Sequence, residues 1–223
     1  MTCIRALAAP APFDVWQIDL GSLPQAHELE ALSSAEHQRA ARFAFARHRR
    51  RYLTSHVALR ALLARRCDMP AAELRFVEGP FGKPGLTQPL GCAFNLSHSG
   101  DVALVAIAPE GEIGVDVEVP RALDDAFELA ARNFTPHECA ELAEAAPDAR
   151  ARTFLRCWTR KEACLKALGS GLSIAPETFE AGCGTDTRIV CIPTPQGEAR
   201  VEVHTLPESP EWVGAVARLR PPP

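Results

Sequence analysis

An α+β fold built as two similar α/β halves is predicted by three features of the 223-residue chain. Short runs alternate apolar and polar residues, as strands with one buried face do. Longer runs place apolar residues at helical spacing. The order strand, helices, strands occurs twice, with a change-over near residues 110–112. That boundary divides the chain into an N-terminal half, 1–111, and a C-terminal half, 112–223.

The elements follow in order. Residues 13–20, FDVWQIDL, alternate and read as a strand. Ser33 or Ser34 is an N-cap residue opening a helix through about Phe45, because a serine hydroxyl can accept from the first free amides. A second helix over 48–67 carries Leu53, Val57, Leu59, Leu62 and Leu63 near helical spacing. Residues 81–85, FGKPG, predict a turn, since two glycines and a proline suit no regular element. Strands are expected over 92–96, 102–108 and 113–119, with Pro109-Glu110-Gly111 as a hairpin connection between the last two. In the second half, helices are expected near 123–133, 136–145 and 148–168, the last stopped by Gly169. Strand-like runs follow at 188–192, 200–206 and 212–218, and residues 221–223 read as a frayed tail.

Composition narrows the function. Charged residues make up 23% and hydrophobic residues 47%, enough for a buried core. The net charge of −4 argues against a general nucleic-acid binder. No apolar run reaches the length of a membrane span, and the proline-broken start lacks a secretory core. The eight cysteines contain no CxxC pair, which argues against structural zinc and for reduced thiols in the cytoplasm. Charge is unevenly spread: residues 1–110 carry +2 and residues 111–223 carry −6. Arg47, Arg49, Arg50 and Arg51 flank His48, a cluster suited either to a small polyanion or to a solvated helix face. Of 24 basic residues only Lys83, Lys161 and Lys166 are lysines, and all three fall in segments with other chemical features.

Three of those segments carry the chemistry. In Gly114-Val115-Asp116-Val117-Glu118, strand alternation sends Asp116 and Glu118 to one face and the valines to the core. Paired carboxylates suit a hard divalent cation, or simply a wet sheet face. On the last long helix Phe154, Trp158, Glu162 and Lys166 form one stripe, with the apolar pair marking it as buried. Glu162 would then meet Asp116 and Glu118 as a third oxygen ligand for Mg²⁺. In Phe94-Asn95-Leu96-Ser97-His98-Ser99-Gly100 a strand ends in polar residues. Ser97 and His98 point to opposite faces and no G-x-S-x-G is present, so they read as phosphate donors rather than a nucleophilic pair. Lys83 offers a further cation. No P-loop or G-x-G-x-x-G occurs.

These segments, with Trp158-x-x-Lys161-Glu162-Ala163-x-x-Lys166 and the upstream Phe43-Ala-Phe-Ala-Arg47 and Leu59-Arg60, resemble the Sfp-type 4′-phosphopantetheinyl transferases in order and spacing. The resemblance covers about Ser33 to Leu172. It implies two α/β halves related by a pseudo-twofold axis, with coenzyme A between them as substrate. It implies transfer of the phosphopantetheine arm to a serine of an apo acyl or peptidyl carrier protein, with release of adenosine 3′,5′-bisphosphate. The metal would be Mg²⁺, with Mn²⁺ as the alternative, held by Asp116, Glu118 and Glu162. Lys166 would act as a fixed cation and Glu162 also as base, while Arg39, Lys83, Ser97 and His98 would bind phosphates. His48 stands where the family often has an acid, and the Arg47–Arg51 cluster is left outside the site. Arg121, Arg132 and residues 127–134 are candidate contacts for an acidic carrier. Two internal halves predict a self-sufficient monomer. A Mg²⁺-dependent phosphohydrolase and a silent coenzyme A-binding module are the alternatives.

Overall fold

The computed structural model describes residues 2–87 and 90–221; Pro222 and Pro223 of the expected tail lie outside it. Two four-stranded antiparallel sheets are stacked between two long helices. The first sheet takes β1 (Ile4–Leu7), β2 (Asp14–Asp19), β5 (Ala93–Ser99) and β6 (Val102–Ala108) in the order β1-β2-β6-β5. The second takes β7 (Ile113–Glu118), β8 (Arg188–Thr194), β9 (Gly197–Thr205) and β10 (Val213–Leu219) in the order β7-β10-β9-β8. In each half the first long strand therefore pairs with the last, and the last with the one before it. This mixed architecture bears out the α+β class.

Helices close the outer faces. In the N-terminal half α1 (Ala26–Leu29) and α2 (Ser34–Ala41) precede α3 (Ala46–Cys67). In the C-terminal half α4 (Ala126–Asn133) and α5 (Pro136–Glu144) precede α6 (Arg150–Leu168). Ala58, Leu59, Leu62 and Leu63 of α3 pack on Ala103, Val105 and Ile107 of β6. The alternate residues Leu104, Ala106 and Ala108 turn the other way, onto Ile113, Val115 and Val117 of β7. Both faces of β6 are thus buried, which is why its sequence is an unbroken apolar run. On the far side, Ala163, Cys164 and Ala167 of α6 pack on Ala215 and Ala217 of β10.

A second feature recurs in both halves. Ser33 and Thr135 each open a helix with a capping box whose glutamate, Glu36 or Glu138, is itself buried. Each glutamate then pairs with a buried cation on the long helix, Glu36 with Arg60 at 2.7 Å and Glu138 with Lys161 at 2.7 Å. Burial alone would raise both carboxyl pKa values. Hydrogen bonds from His56, Arg60 and Ser33 hold Glu36 down instead, and Lys161 does the same for Glu138. Lys161 also donates to the carbonyls of Pro176 and Phe179, so it is a tether rather than a chemical lysine.

Several expectations are corrected. Pro109-Glu110-Gly111 is no hairpin: β6 has its edges filled by β2 and β5, so β7 crosses to the other sheet and pairs with β10. Pro84 and Gly85 lie in a short strand, β4 (Pro84–Leu86), paired with β3 (Phe76–Glu78). A two-stranded ribbon tolerates proline where no ladder amide is required. The helix from Ser34 stops at Ala41, leaving Phe45 as the N-cap of α3. Asp116 is buried rather than on a wet face. The stripe Phe154, Trp158, Glu162, Lys166 is the margin of the buried face of α6. Burial extends well beyond that stripe, to Leu155, Cys157, Ala163 and Cys164 among others.

Gly114 sets how closely α6 approaches β7. A Cβ there would collide with the carbonyl of Ala163 and lie 2.6 Å from the amide of Ala167, both backbone atoms that cannot swing aside. Gly114→Ala is expected to cost about 3 kcal/mol or more in urea unfolding, because the helix must move off the strand. An unchanged denaturation midpoint would show that α6 can yield there.

Candidate active site

The free edge of β7 runs along β5, and side chains rather than a backbone ladder join them. Asn95, Ser97 and Ser99 are spaced two apart and so share one face of β5. Asn95 Oδ1 accepts from the Val115 amide at 2.8 Å. Ser97 Oγ donates to Asp116 Oδ1 at 2.8 Å. Ser99 Oγ donates to Glu118 Oε2 at 2.7 Å and accepts from the Val119 amide at 3.2 Å. Every second residue of the Phe94–Gly100 motif therefore positions a part of the carboxylate strand.

Lys166 completes the cluster from α6. Its Nζ donates to Asp116 Oδ1 at 2.6 Å, to Ser97 Oγ at 2.9 Å and to the Val115 carbonyl at 3.3 Å. Asp116 Oδ2 is buried and has no hydrogen-bond partner. Glu162 lies one turn before Lys166 on α6. Burial raises the pKa of Glu162, and the negative charges of Asp116 and Glu118 raise it further against the pull of Lys166. Glu118 is raised first by burial and then by Asp116, with Ser99 and Lys166 opposing. The three predicted ligands thus lie within one electrostatic neighbourhood holding more negative than positive charge. Among the described residues no three acidic, histidine or cysteine side chains form a ready-made metal cage.

A cleft of about 290 Å³ opens beside this cluster, lined by Phe81 and Lys83 of the β3–β4 turn, Asn95, Glu162 and Lys166. The turn belongs to the N-terminal half yet touches the C-terminal half. A Cβ on Gly171, whose φ is 55°, would lie 3.0 Å from Phe81 Cβ. Lys83 Nζ is paired with Glu112 at 2.7 Å.

The remaining predicted residues stand further out. Arg39 is exposed, paired with Glu78 at 3.1 Å and stacked over Tyr52. His98 is exposed and does not line the cleft. Crowding by protein and the positive charges of Lys166 and Arg51 lower its pKa, which keeps the ring neutral until an anion arrives. The reading that left the Arg47–Arg51 cluster aside missed Arg51, which lies close enough to His98 to act on it and pairs with Asp101 at 2.8 Å. Glu112 was missed as well; acidity next to the sheet change was its one signal.

Two family profiles match this chain. The 4′-phosphopantetheinyl transferase superfamily profile matches residues 112–217, and the profile for the N-terminal part of 4′-phosphopantetheinyl transferase matches 22–110. The chain belongs to the 4′-phosphopantetheinyl transferase superfamily, which bears out the transferase class read from its motifs. The protein slr0495 of Synechocystis sp. is 40% identical over 144 residues, 64% of this chain and 58% of that protein. The 4′-phosphopantetheinyl transferase HetI of Nostoc sp. is 39% identical over 165 residues, 71% of this chain and 69% of HetI. The 4′-phosphopantetheinyl transferase Sfp of Bacillus subtilis is 26% identical over 190 residues, 85% of this chain and 83% of Sfp.

The electrostatics yield a pH test. The fold holds the pKa of Glu162 above its unfolded value, so the ionised side chain destabilises the protein. That cost is absent below the ordinary glutamate range and grows as pH rises through the raised value. Glu162→Gln should therefore raise Tm at neutral pH, by about 1–3 °C, with the difference vanishing near pH 4. A lower Tm for the variant at neutral pH would contradict the assigned charge balance.

Proposed function

We propose that this protein transfers the 4′-phosphopantetheine arm of coenzyme A to a serine of an apo acyl or peptidyl carrier protein, leaving adenosine 3′,5′-bisphosphate. The observation that carries this reading is the cluster of Lys166, Ser97 and Asp116 at the seam of the two sheets, with Glu162 beside it at the mouth of the cleft. The division into halves 1–111 and 112–223, related by a pseudo-twofold axis, is part of the same reading. The passage of the chain from one sheet to the other between β6 and β7 supports it.

The donor set suits a divalent cation. Asp116 Oδ2 is a buried carboxylate oxygen without a partner, and Glu118 and Glu162 are raised carboxylates beside it. Oxygen ligands of this kind prefer hard cations, Mg²⁺ or Mn²⁺. We assign Asp116, Glu118 and Glu162 to hold it; when bound, it supplies positive charge against the pyrophosphate of the substrate.

The chain's own residues do the rest. The carrier serine oxygen bonds to the phosphorus bearing the pantetheine while the pyrophosphate P–O bond breaks. All three N–H donors of Lys166 are taken by Asp116, Ser97 and the Val115 carbonyl, so it acts on the oxygens where charge builds as a fixed positive charge nearby, and a direct hydrogen bond to them requires one of those partners to be released. Glu162 has a raised pKa at the mouth of the cleft, the property a base for the serine proton requires near neutral pH. Lys83 and Arg39 are held by Glu112 and Glu78, partners that phosphates can displace. Ser97 and His98 complete the phosphate set. For the carrier, Phe127 is 47% exposed and lies under Arg150, with exposed Arg121 and Arg132 nearby in sequence. Phe134 is buried against Phe154 and drops out of that surface.

Intact mass of an apo carrier incubated with this protein, coenzyme A and Mg²⁺ tests the proposal. The carrier should gain one phosphopantetheine group, EDTA should prevent the gain, and Glu162→Gln should slow it by about 100-fold or more. No gain with coenzyme A still bound would mark a silent binding module, and release of phosphate without a carrier would mark a hydrolase.

A further inference from the structure

Two cysteine pairs come close, the buried Cys157 and Cys183 and the half-buried Cys67 and Cys92. Cys67 Sγ and Cys92 Sγ are 3.2 Å apart, both half-buried. Their placement follows from two turns. Cys67 is the last residue of α3, which Asp68 ends by taking a left-handed conformation at φ 48°. Cys92 follows Gly91, at φ 61°, and leads directly into β5. Cys92 packs on the same apolar cluster as Leu62 and Leu63 of α3, so helix and strand start are held together by packing as well. Between the two cysteines the chain makes the whole β3–β4 ribbon, whose turn carries Phe81 and Lys83 to the cleft.

We propose that Cys67 and Cys92 form a reversible disulfide that tethers the base of the β3–β4 ribbon. The proposal is independent of the transferase reading. Among the other cysteines, Cys157, Cys164 and Cys183 are buried, and Cys3 and Cys191 are exposed. Cys139 is half-buried but its neighbour Cys183 is buried, whereas in the Cys67–Cys92 pair both thiols are half-buried and the sulfurs are 3.2 Å apart.

The step balances as a thiol–disulfide exchange with a low-molecular-weight disulfide. The Cys67 thiolate attacks one sulfur of the oxidant, forming a mixed disulfide and expelling one small thiolate. Cys92, deprotonated, then attacks the Cys67 sulfur, forming the protein disulfide and expelling the second. The two protein thiols lose two electrons and two protons, and the oxidant becomes two small thiols. Burial and the neighbouring Cys67 hold the Cys92 thiol up to about 12, and the charge of a Cys67 thiolate is gone once Cys67 is in the mixed disulfide. The first bond thus prepares the second.

Peptide mapping after equilibration with glutathione and glutathione disulfide at a series of ratios, quenched with acid and alkylated, tests this. The expected result is a Cys67–Cys92 cross-link with loss of two hydrogens from the intact mass, reversed by dithiothreitol. Wild type should gain about 5 °C in Tm on oxidation, because the bond restrains the unfolded chain. Cys67→Ser and Cys92→Ser should show no such gain. Hydrogen exchange over β3 and β4 should slow several-fold in the oxidised form. Mapping needs only the wild type, so the test survives a variant that fails to fold. Free Cys67 and Cys92 at ratios where Cys3 and Cys191 carry glutathione, or a cross-link between other cysteines, would overturn the proposal. A Cys67–Cys92 bond that leaves ribbon exchange unchanged would overturn the tethering role.

Discussion

One carboxylate oxygen, Asp116 Oδ1, is the point at which three elements are bonded together. Ser97 reaches it from the first sheet, Lys166 from the helix over the second sheet, and Asp116 itself rides on the strand that begins the C-terminal half. A carboxylate that is 5% exposed is costly to bury unless charge and hydrogen bonds answer it. Here the ammonium and the hydroxyl answer on one oxygen, leaving the other free. The arrangement therefore fixes the seam and leaves Asp116 Oδ2 without a hydrogen-bond partner. Asn95 and Ser99 add further bonds along that seam, and Gly114 lets α6 close on β7 beside it.

The two halves reach this seam through the same local device. In each, a capping-box glutamate turns inward and grips a cation of the long covering helix, Arg60 in one and Lys161 in the other. Buried pairs of this kind add little stability over apolar packing, but breaking one leaves a lone charge. They thus fix the register of α3 against α2 and of α6 against α5. For α6 that register places Glu162 and Lys166 at the cleft, so Lys161 serves the site by holding its neighbours.

Much of this was legible in the chain. β6 could be read because a long apolar run has few other uses, and α6 because its pattern ends at Gly169, which takes φ 66°. The alternation that put Asp116 and Glu118 together also held, and the spacing of Asn95, Ser97 and Ser99 carried the seam, although only Ser97 was read as functional. What escaped depends on long-range pairing. β1 is four residues long, and its pattern is too short to stand out. The crossing after β6 follows from β2 and β5 having filled its edges, which no local turn signal reveals. Lys161 and Lys166 are equally lysines in the sequence; only the rotation of α6 sends one to Glu138 and the other to Asp116.

The most direct test of the central claim is a double-mutant cycle on Asp116→Asn and Lys166→Met, read by urea unfolding at neutral pH. If the pair organises the seam, each single variant loses stability and the double variant loses clearly less than their sum, with a coupling of about 1–3 kcal/mol. Strictly additive losses would contradict the account, since Asp116 and Lys166 would then be neighbours without being partners.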